Sequence, residues 1–287
     1  MIKNIILYAD EKFDDLAIST IKSFNRFNDS YNFYYYNIGF TSKIKKDNVF
    51  NIYVEPVSDI PQATFYKSYI CNKASKILDH YLYIDCDVIP SGHFNYKNMF
   101  IGLNKYPKAV KTRQWQTPYL FWKDEKGIRH SRGPDILCKK LNVENQTQNW
   151  ASGCILAVDN TCKDFLQEWE NVCFDKNLWC INEKPIFQLQ NIIYHAWCLY
   201  FPLGDETALN ALFWKYKLNN YFYENIYIET QNISSILKIE NENIFNEVLE
   251  PENPVSYVSN SKNIYFYHQI KNTLLRESIF KILNINE

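Results

Sequence analysis

A chain of 287 residues with 31 Lys plus Arg against 32 Asp plus Glu carries a formal net charge of −1 and lacks the positive field that non-specific nucleic-acid binding requires, so a nucleic-acid partner is disfavoured. Hydrophobic residues at 46% and charged residues at 22% give the balance of a globular protein, and the length is enough to bury a substantial core. No apolar run is long enough to span a bilayer, the apolar start Met1–Tyr8 is too short for a signal-peptide core, and the eight cysteines show no paired metal-type spacing; a reducing, cytoplasmic location is expected.

In chain order, Ile5–Ala9 is apolar and unbroken, as in a strand buried on both faces of a parallel sheet. Phe13, Leu16, Ala17, Ile21, Phe24 and Phe27 then recur at helical spacing, with Asp10 and Asp14 available to the positive end of that helix. The aromatic run Tyr31–Tyr36 and the stretch Val49–Val54 predict two more strands, separated by a lysine-rich turn. Tyr66, Tyr69, Ile70, Ala74, Ile77 and Leu78 mark one face of a second helix, which runs into a strand at Tyr81–Ile84. From Pro90 to Trp150 the periodicity weakens and a loop-rich stretch is expected. Cys154–Val158 resumes as a buried strand, and helical spacing returns at Phe165, Leu166, Trp169 and Val172 and again at Ala208, Leu209, Leu212 and Phe213. A strand at Ile264–Tyr267 and an amphipathic helix through Leu275, Ile279, Ile282 and Leu283 close the pattern. Strands alternating with helices predict an α/β fold, and the absence of a repeat or a clear linker predicts one domain over 1–287.

Chemistry concentrates at Ile84-Asp85-Cys86-Asp87-Val88, two carboxylates one residue apart directly after a buried strand. An Asp-x-Asp triplet arises roughly once by chance in a chain of this length, so its position carries the argument: open α/β sheets bind ligands outside the carboxyl ends of their strands. Two hard oxygen donors suit Mn²⁺ or Mg²⁺, with the coordination completed by phosphate oxygens and water. The alternative is that the aspartates cap a turn or a following helix.

With that motif in place the sequence resembles the nucleotide-sugar glycosyltransferases of the GT-A type, in particular the retaining family 8 group that contains glycogenin and bacterial lipooligosaccharide galactosyltransferases. Several blocks follow the family's order. Tyr8-Ala9-Asp10-Glu11-Lys12-Phe13 is similar to its opening strand and turn, which hold the uracil ring. Phe13 suits stacking on that ring and equally suits the first apolar position of the helix. Lys67 occupies the place of a basic residue that reaches the donor diphosphate or sugar; an ordinary solvated lysine is the other reading. Trp150-Ala151-Ser152-Gly153-Cys154 resembles the segment beside the donor sugar, with Ala151 where asparagine is usual, and Gly153 also suits a bend entering a strand. Asp205-Glu206-Thr207-Ala208-Leu209-Asn210 resembles an Asp-Gln-Asp-aliphatic-Leu-Asn block at a helix start, where Asp205 or Glu206 would face the reacting sugar; both also suit plain helix capping. His268, at the end of the last strand, stands where the family has a third metal ligand, and Lys271 where a lysine contacts the diphosphate, although the family's glycine and Lys-Pro-Trp signature is absent.

The resemblance implies a GT-A, Rossmann-like fold with a central mixed, mostly parallel sheet flanked by helices, residues 1–95 forming the nucleotide-binding half and 96–287 the acceptor-binding and C-terminal metal-site half. It implies a UDP-sugar donor held through Tyr8, Ala9, Asp10, Phe13, Lys67, Asp85, Cys86, Ser152, Gly153 and Lys271, a metal held by Asp85, Asp87 and His268, and hexose transfer to a glycan, glycoconjugate or other hydroxyl acceptor. Arg113, Trp115, Trp122 and Arg132 are candidates for the acceptor cleft, and core packing accounts for each of them equally well. The terminal amphipathic helix is compatible with weak membrane contact or with packing on the domain. Two rival readings remain: a nucleotidyltransferase, against which the glycine-free, acidic first turn argues, and a carbohydrate-binding protein of the same fold without turnover.

Overall fold

The computed structural model describes residues 2–26, 30–57, 65–90, 95–111, 121–123, 129–131, 134–144, 151–178, 186–189, 192–195, 205–218, 221–223, 227–229 and 266–268. In chain order the elements are β1 (Lys3–Asp10), α1 (Asp14–Asn25), β2 (Tyr31–Ile38), β3 (Val49–Val54), α2 (Tyr66–Ser75), β4 (His80–Ile84), β5 (Ile89–Pro90), β6 (Lys108–Lys111), β7 (Phe121–Lys123), β8 (Arg129–Ser131), α3 (Pro134–Leu141), β9 (Ala151–Asp159), α4 (Lys163–Phe174), β10 (Ile186–Leu189), β11 (Ile192–His195), α5 (Asp205–Lys215), β12 (Phe222–Tyr223), β13 (Tyr227–Glu229) and β14 (Phe266–His268). The chain forms two compact units, the first built from Met1–Glu55, Tyr81–Ile101 and Glu224–Glu287 and the second from Pro56–His80 and Gly102–Tyr223.

In the first unit β1 runs parallel to β2 and to β4, and β2 parallel to β3, with Ile5 opposite both Phe33 and Leu82. Strands buried on both faces need apolar residues throughout, and Ile5, Ile6, Leu7, Phe33, Tyr35, Tyr81, Leu82 and Ile84 are all buried. α1 packs on β1 through Ala17, Ile21 and Phe24, and Phe24 meets Tyr31 edge-on at 5.6 Å between ring centroids. Asp14, the first residue of α1, is buried and accepts hydrogen bonds from the Tyr35 hydroxyl at 2.9 Å and the Ser42 hydroxyl at 2.5 Å, which ties the segment after β2 to the helix start. β3 is the outer strand among the described residues; its Phe50 and Tyr53 are 44% and 53% exposed, and Phe50 stacks on Tyr34 at 5.0 Å. A small sheet completes this unit: β14 lies between β13, to which it is parallel, and β5, to which it is antiparallel.

In the second unit β6 pairs in parallel with β12 and antiparallel with β9, with a register shift between Ala109 and Val110. α2 and α5 both pack on α4, and α5 also packs on β9. The apolar faces read from the sequence supply the contacts: Phe165, Leu166, Trp169 and Val172 of α4 and Ala208, Leu209, Leu212 and Phe213 of α5 are buried. The expected strand and helix positions in β1, β2, β3, β4, β9, α1, α2, α4 and α5 are present. The fold is α/β with mixed, mostly parallel pairing flanked by helices.

Two expectations are corrected. Ile77 is 63% exposed and does not belong to the apolar face of α2, because the helix ends at Ser75 and its last turn tightens, with the Ile77 amide donating to the Ala74 carbonyl at 3.0 Å. The stretch read as loop-rich contains β6, β7, β8 and α3, whose strands are three or four residues long and too short for periodicity to register. Phe27, the residues from Ile264 to Tyr265 and the terminal helix through Leu275 lie outside the described residues.

Among the described residues Cys71, Cys86, Cys138, Cys154, Cys162 and Cys173 form no disulfide. Burial pushes the Cys162 thiol up from 9.0 to about 12. Burial also raises the phenols of Tyr35, Tyr96 and Tyr223 above their ordinary value of 10.0. These groups stay protonated when folded at a pH where the unfolded chain releases their protons. Their stabilising contribution is therefore complete below about pH 9 and is lost as the pH rises toward 12. The urea midpoint should hold steady between about pH 7 and 8 and decline above 9, and Cys162→Ala should shallow the first part of that decline; an alkaline limb identical in wild type and variant would remove Cys162 from the account.

Candidate active site

In the first unit, polar side chains gather where the parallel strands end. Past Ile84 the chain turns at Asp85–Val88, closed by the Val88 amide donating to the Asp85 carbonyl at 3.1 Å. Asp85, Cys86 and Asp87 are half-buried, in contrast to the buried strand before them. The Tyr83 hydroxyl donates to Asp85 Oδ1, and Thr20 of α1 donates to the Cys86 carbonyl at 2.6 Å, so both side chain and backbone of the turn are held. Tyr83 precedes Asp85 by two residues and therefore shares its face of the strand. The Tyr8 ring lies 6.1 Å from that of Tyr83.

β5 leaves this turn and pairs with β14, Phe266 opposite Pro90 and Tyr267 opposite Ile89. β14 ends at His268, one residue past the last of these pairs. The Asp85 and Asp87 carboxylates are hard oxygen donors of the kind that suits Mn²⁺ or Mg²⁺.

At the end of β1, Ala9 is buried, and Tyr8 and Asp10 are half-buried. Asp10 Oδ1 is buried with no hydrogen-bond partner among the described residues. Asp10 precedes the short 3-10 turn Glu11–Phe13 and makes no side-chain cap bond there. Phe13 is 38% exposed, with Lys12 Nζ 5.5 Å from its ring centroid.

In the second unit a different cluster forms around Gly153 of β9. Its carbonyl accepts from Lys67 Nζ at 3.1 Å, and its amide donates to Glu206 Oε2 at 3.2 Å. Lys67 is also paired with Asp205 Oδ2 at 3.6 Å; both side chains are buried, at 7% and 2% exposure. A Cβ on Gly153 would lie 3.4 Å from Lys67 Nζ, 3.6 Å from Leu209 Cδ2 and 3.7 Å from Asp205 Oδ2, in ordinary van der Waals contact with the ion pair. The Trp169 indole donates to the Asp205 carbonyl at 3.0 Å and fixes the start of α5 against α4. Behind the pair, burial and then the Asp205 charge push the Cys173 thiol well above its usual range, while a hydrogen bond with Ser68 acts the other way. Glu206 is half-buried, Ser152 is buried beside Gly153, and Thr207, where the family has its second acid, is buried with no partner for its hydroxyl among the described residues.

The sequence-derived candidates fall into these two groups: Tyr8, Asp10, Asp85, Cys86, Asp87 and the β14 residue His268 in the first unit, and Lys67, Ser152, Gly153, Asp205 and Glu206 in the second. Trp122 is the middle residue of β7, and Lys271, Arg113, Trp115 and Arg132 lie outside the described residues. Sequence reasoning missed Thr20, Tyr83, Trp169 and Asn210, whose hydrogen bonds fasten the candidates in place. Strand alternation could have singled out Tyr83, and the four-residue spacing from Glu206 could have singled out Asn210. Nothing in the sequence pairs Thr20 or Trp169 with its target.

No protein-family model and no curated protein matches the chain. Solved structures do. The bifunctional glycosyltransferase WbbM is similar over 94% of this chain at a TM-score of 0.55 and 13% identity, and the chain spans 46% of that protein. The galactosyltransferase LgtC, in complex with donor and acceptor sugar analogues, is similar over 98% of this chain and 94% of its own at a TM-score of 0.51 and 12% identity. An active-site mutant of LgtC gives 0.52 and 12% over 98% and 95%. At these identities the likeness establishes the fold, which is the GT-A glycosyltransferase fold expected from the sequence.

Removing one partner of a buried ion pair strands the other charge. Lys67→Met should destabilise the protein by about 3–5 kcal/mol, and the double variant Lys67→Met/Asp205→Asn should recover most of that loss in urea unfolding. Equal stability of the single and double variants would mean that the pair is not energetically coupled.

Proposed function

We propose that the chain is a glycosyltransferase that moves a hexose from a UDP-sugar to a hydroxyl of a glycan or other acceptor, with retention at the anomeric carbon. The observation that carries this reading is the Asp85–Asp87 turn at the carboxyl end of β4, followed directly by β5 and its pairing with β14, in a chain of GT-A fold. Asp85, Asp87 and His268 would hold a divalent cation, Mn²⁺ or Mg²⁺, which when bound supplies Lewis-acid neutralisation of the diphosphate. The unpartnered Asp10 Oδ1 suits the imide N–H of uracil, and the exposed Phe13 ring suits stacking on the base.

In transfer, the bond from the anomeric carbon to the diphosphate oxygen breaks, and its electron pair leaves with the diphosphate. The acceptor oxygen bonds to that carbon, and its proton passes to an oxygen of the departing phosphate. The positive character that develops on the sugar needs a fixed negative partner. Of the two acids at the start of α5, Asp205 is 2% exposed and faces Lys67, whereas Glu206 is half-buried and has one carboxylate oxygen anchored on the Gly153 amide. Glu206 is the residue assigned to the sugar, and Asp205 and Lys67 are assigned to its support.

The test is metal-dependent UDP release from a panel of UDP-sugars with Mn²⁺, Mg²⁺ or chelator. Release from one donor should require the metal and should fall by roughly 10–100-fold or more in Asp85→Ala and Asp87→Ala, both still folded by circular dichroism. Wild-type release from those folded variants would overturn the assignment.

A further inference from the structure

Asn210 sits on α5 one turn beyond Glu206 and is fully buried. Its side-chain amide makes three hydrogen bonds. Oδ1 accepts from the Ala151 amide at 2.6 Å, and Nδ2 donates to the Ala151 carbonyl at 2.9 Å and to the Glu206 carbonyl at 2.8 Å. A planar amide that takes both backbone groups of one strand residue does what a neighbouring strand would do, and it needs a donor and an acceptor on the same short side chain. Two residues along β9, the Gly153 amide bonds the Glu206 carboxylate at 3.2 Å.

These bonds close a ring. From the Glu206 carbonyl the path runs through the Asn210 amide to the backbone of Ala151, along β9 to the Gly153 amide, and back to the Glu206 carboxylate. Glu206 is thereby held at its main chain and at its side chain by one three-residue piece of strand, and Asn210 sets the spacing between strand and helix.

We infer that Asn210 is a positioning residue that aims the Glu206 carboxylate by locking the first turn of α5 to β9, an inference that rests on the assignment of Glu206 to the donor sugar. Asn72, another buried asparagine among the described residues of this unit, links α2 to Gln167 and Glu170 of α4, and these bonds end on neither Glu206 nor β9. It serves as the matched comparison, a buried amide whose loss weakens packing without touching the ring.

The experiment compares wild type with Asn210→Leu, which keeps the branched outline of four heavy atoms and has no polar atoms, with Asn210→Asp, which keeps the acceptor and loses both donor bonds, and with Asn72→Leu. Two readouts are taken on folded protein: amide hydrogen exchange at Gly153, and kcat and KM for the active UDP-sugar. Both Asn210 variants should speed exchange at Gly153 by at least about tenfold and lower kcat by about a hundredfold, with donor KM changed less than about threefold. Asn72→Leu should leave Gly153 exchange and kcat near wild type. If Asn210→Leu does not fold, Asn210→Asp decides alone.

Unchanged Gly153 exchange in a folded Asn210 variant overturns the positioning role whether or not the protein turns over a donor. Faster exchange with wild-type kcat would show that the ring exists without serving the reaction, which also overturns it. A wild type inert toward every UDP-sugar would count against the transferase reading, and the exchange data would still report on the ring.

Discussion

Gly153 has both of its backbone polar groups committed to side chains from other elements, the carbonyl to Lys67 of α2 and the amide to Glu206 of α5. One strand residue therefore fixes both a cation and an anion. Buried charges are tolerated only when paired and hydrogen-bonded, and here Lys67 receives both kinds of partner, a carbonyl and the Asp205 carboxylate. The rest of this unit serves that arrangement. α4 contributes the Trp169 bond to the Asp205 carbonyl, and β6 pairs with the strand end that bears the glycine.

The first unit solves a different problem. Parallel strands have their carboxyl ends at the same edge of the sheet, and the chain must turn there before it can continue, so polar residues collect at that edge. Asp14 shows the structural use of such a residue: buried at the start of α1, it takes two hydroxyl hydrogen bonds. Asp85 and Asp87 remain half-exposed in their turn, and Asp10 keeps a buried oxygen without a partner among the described residues. The same edge thus carries both a buried acid and acids that stay partly exposed.

How much of this was legible in the sequence depended on how local the cause was. The acids after β4 could be read because the apolar strand and the turn are adjacent in the chain, and the acids of α5 because they open an apolar-faced helix. Lys67 could not be told from an ordinary solvated lysine, since its burial is produced by Asp205 and Gly153, far away in sequence. Gly153 suited a bend before the strand, yet it lies inside β9, because pairing of Ala151 and Ser152 with Lys111 and Val110 extends the strand through small residues that have little strand preference of their own. Ile77 fitted the helical spacing of α2 and was misplaced because spacing does not reveal where a helix stops. Asn210 could have been any buried helix residue until its partner on β9 was known.

β3, the outer strand described above, has a property that the chemistry does not require. Its sequence Val-Phe-Asn-Ile-Tyr-Val carries no charge and no proline, and natural sheets usually guard such edges with lysine, proline or a bulge. Among the described residues this edge is unguarded, and an edge of this kind is a template for strand addition that a near-neutral net charge of −1 does little to oppose. A lysine at position 53, where Tyr53 is 53% exposed, would guard this edge without touching any candidate site residue.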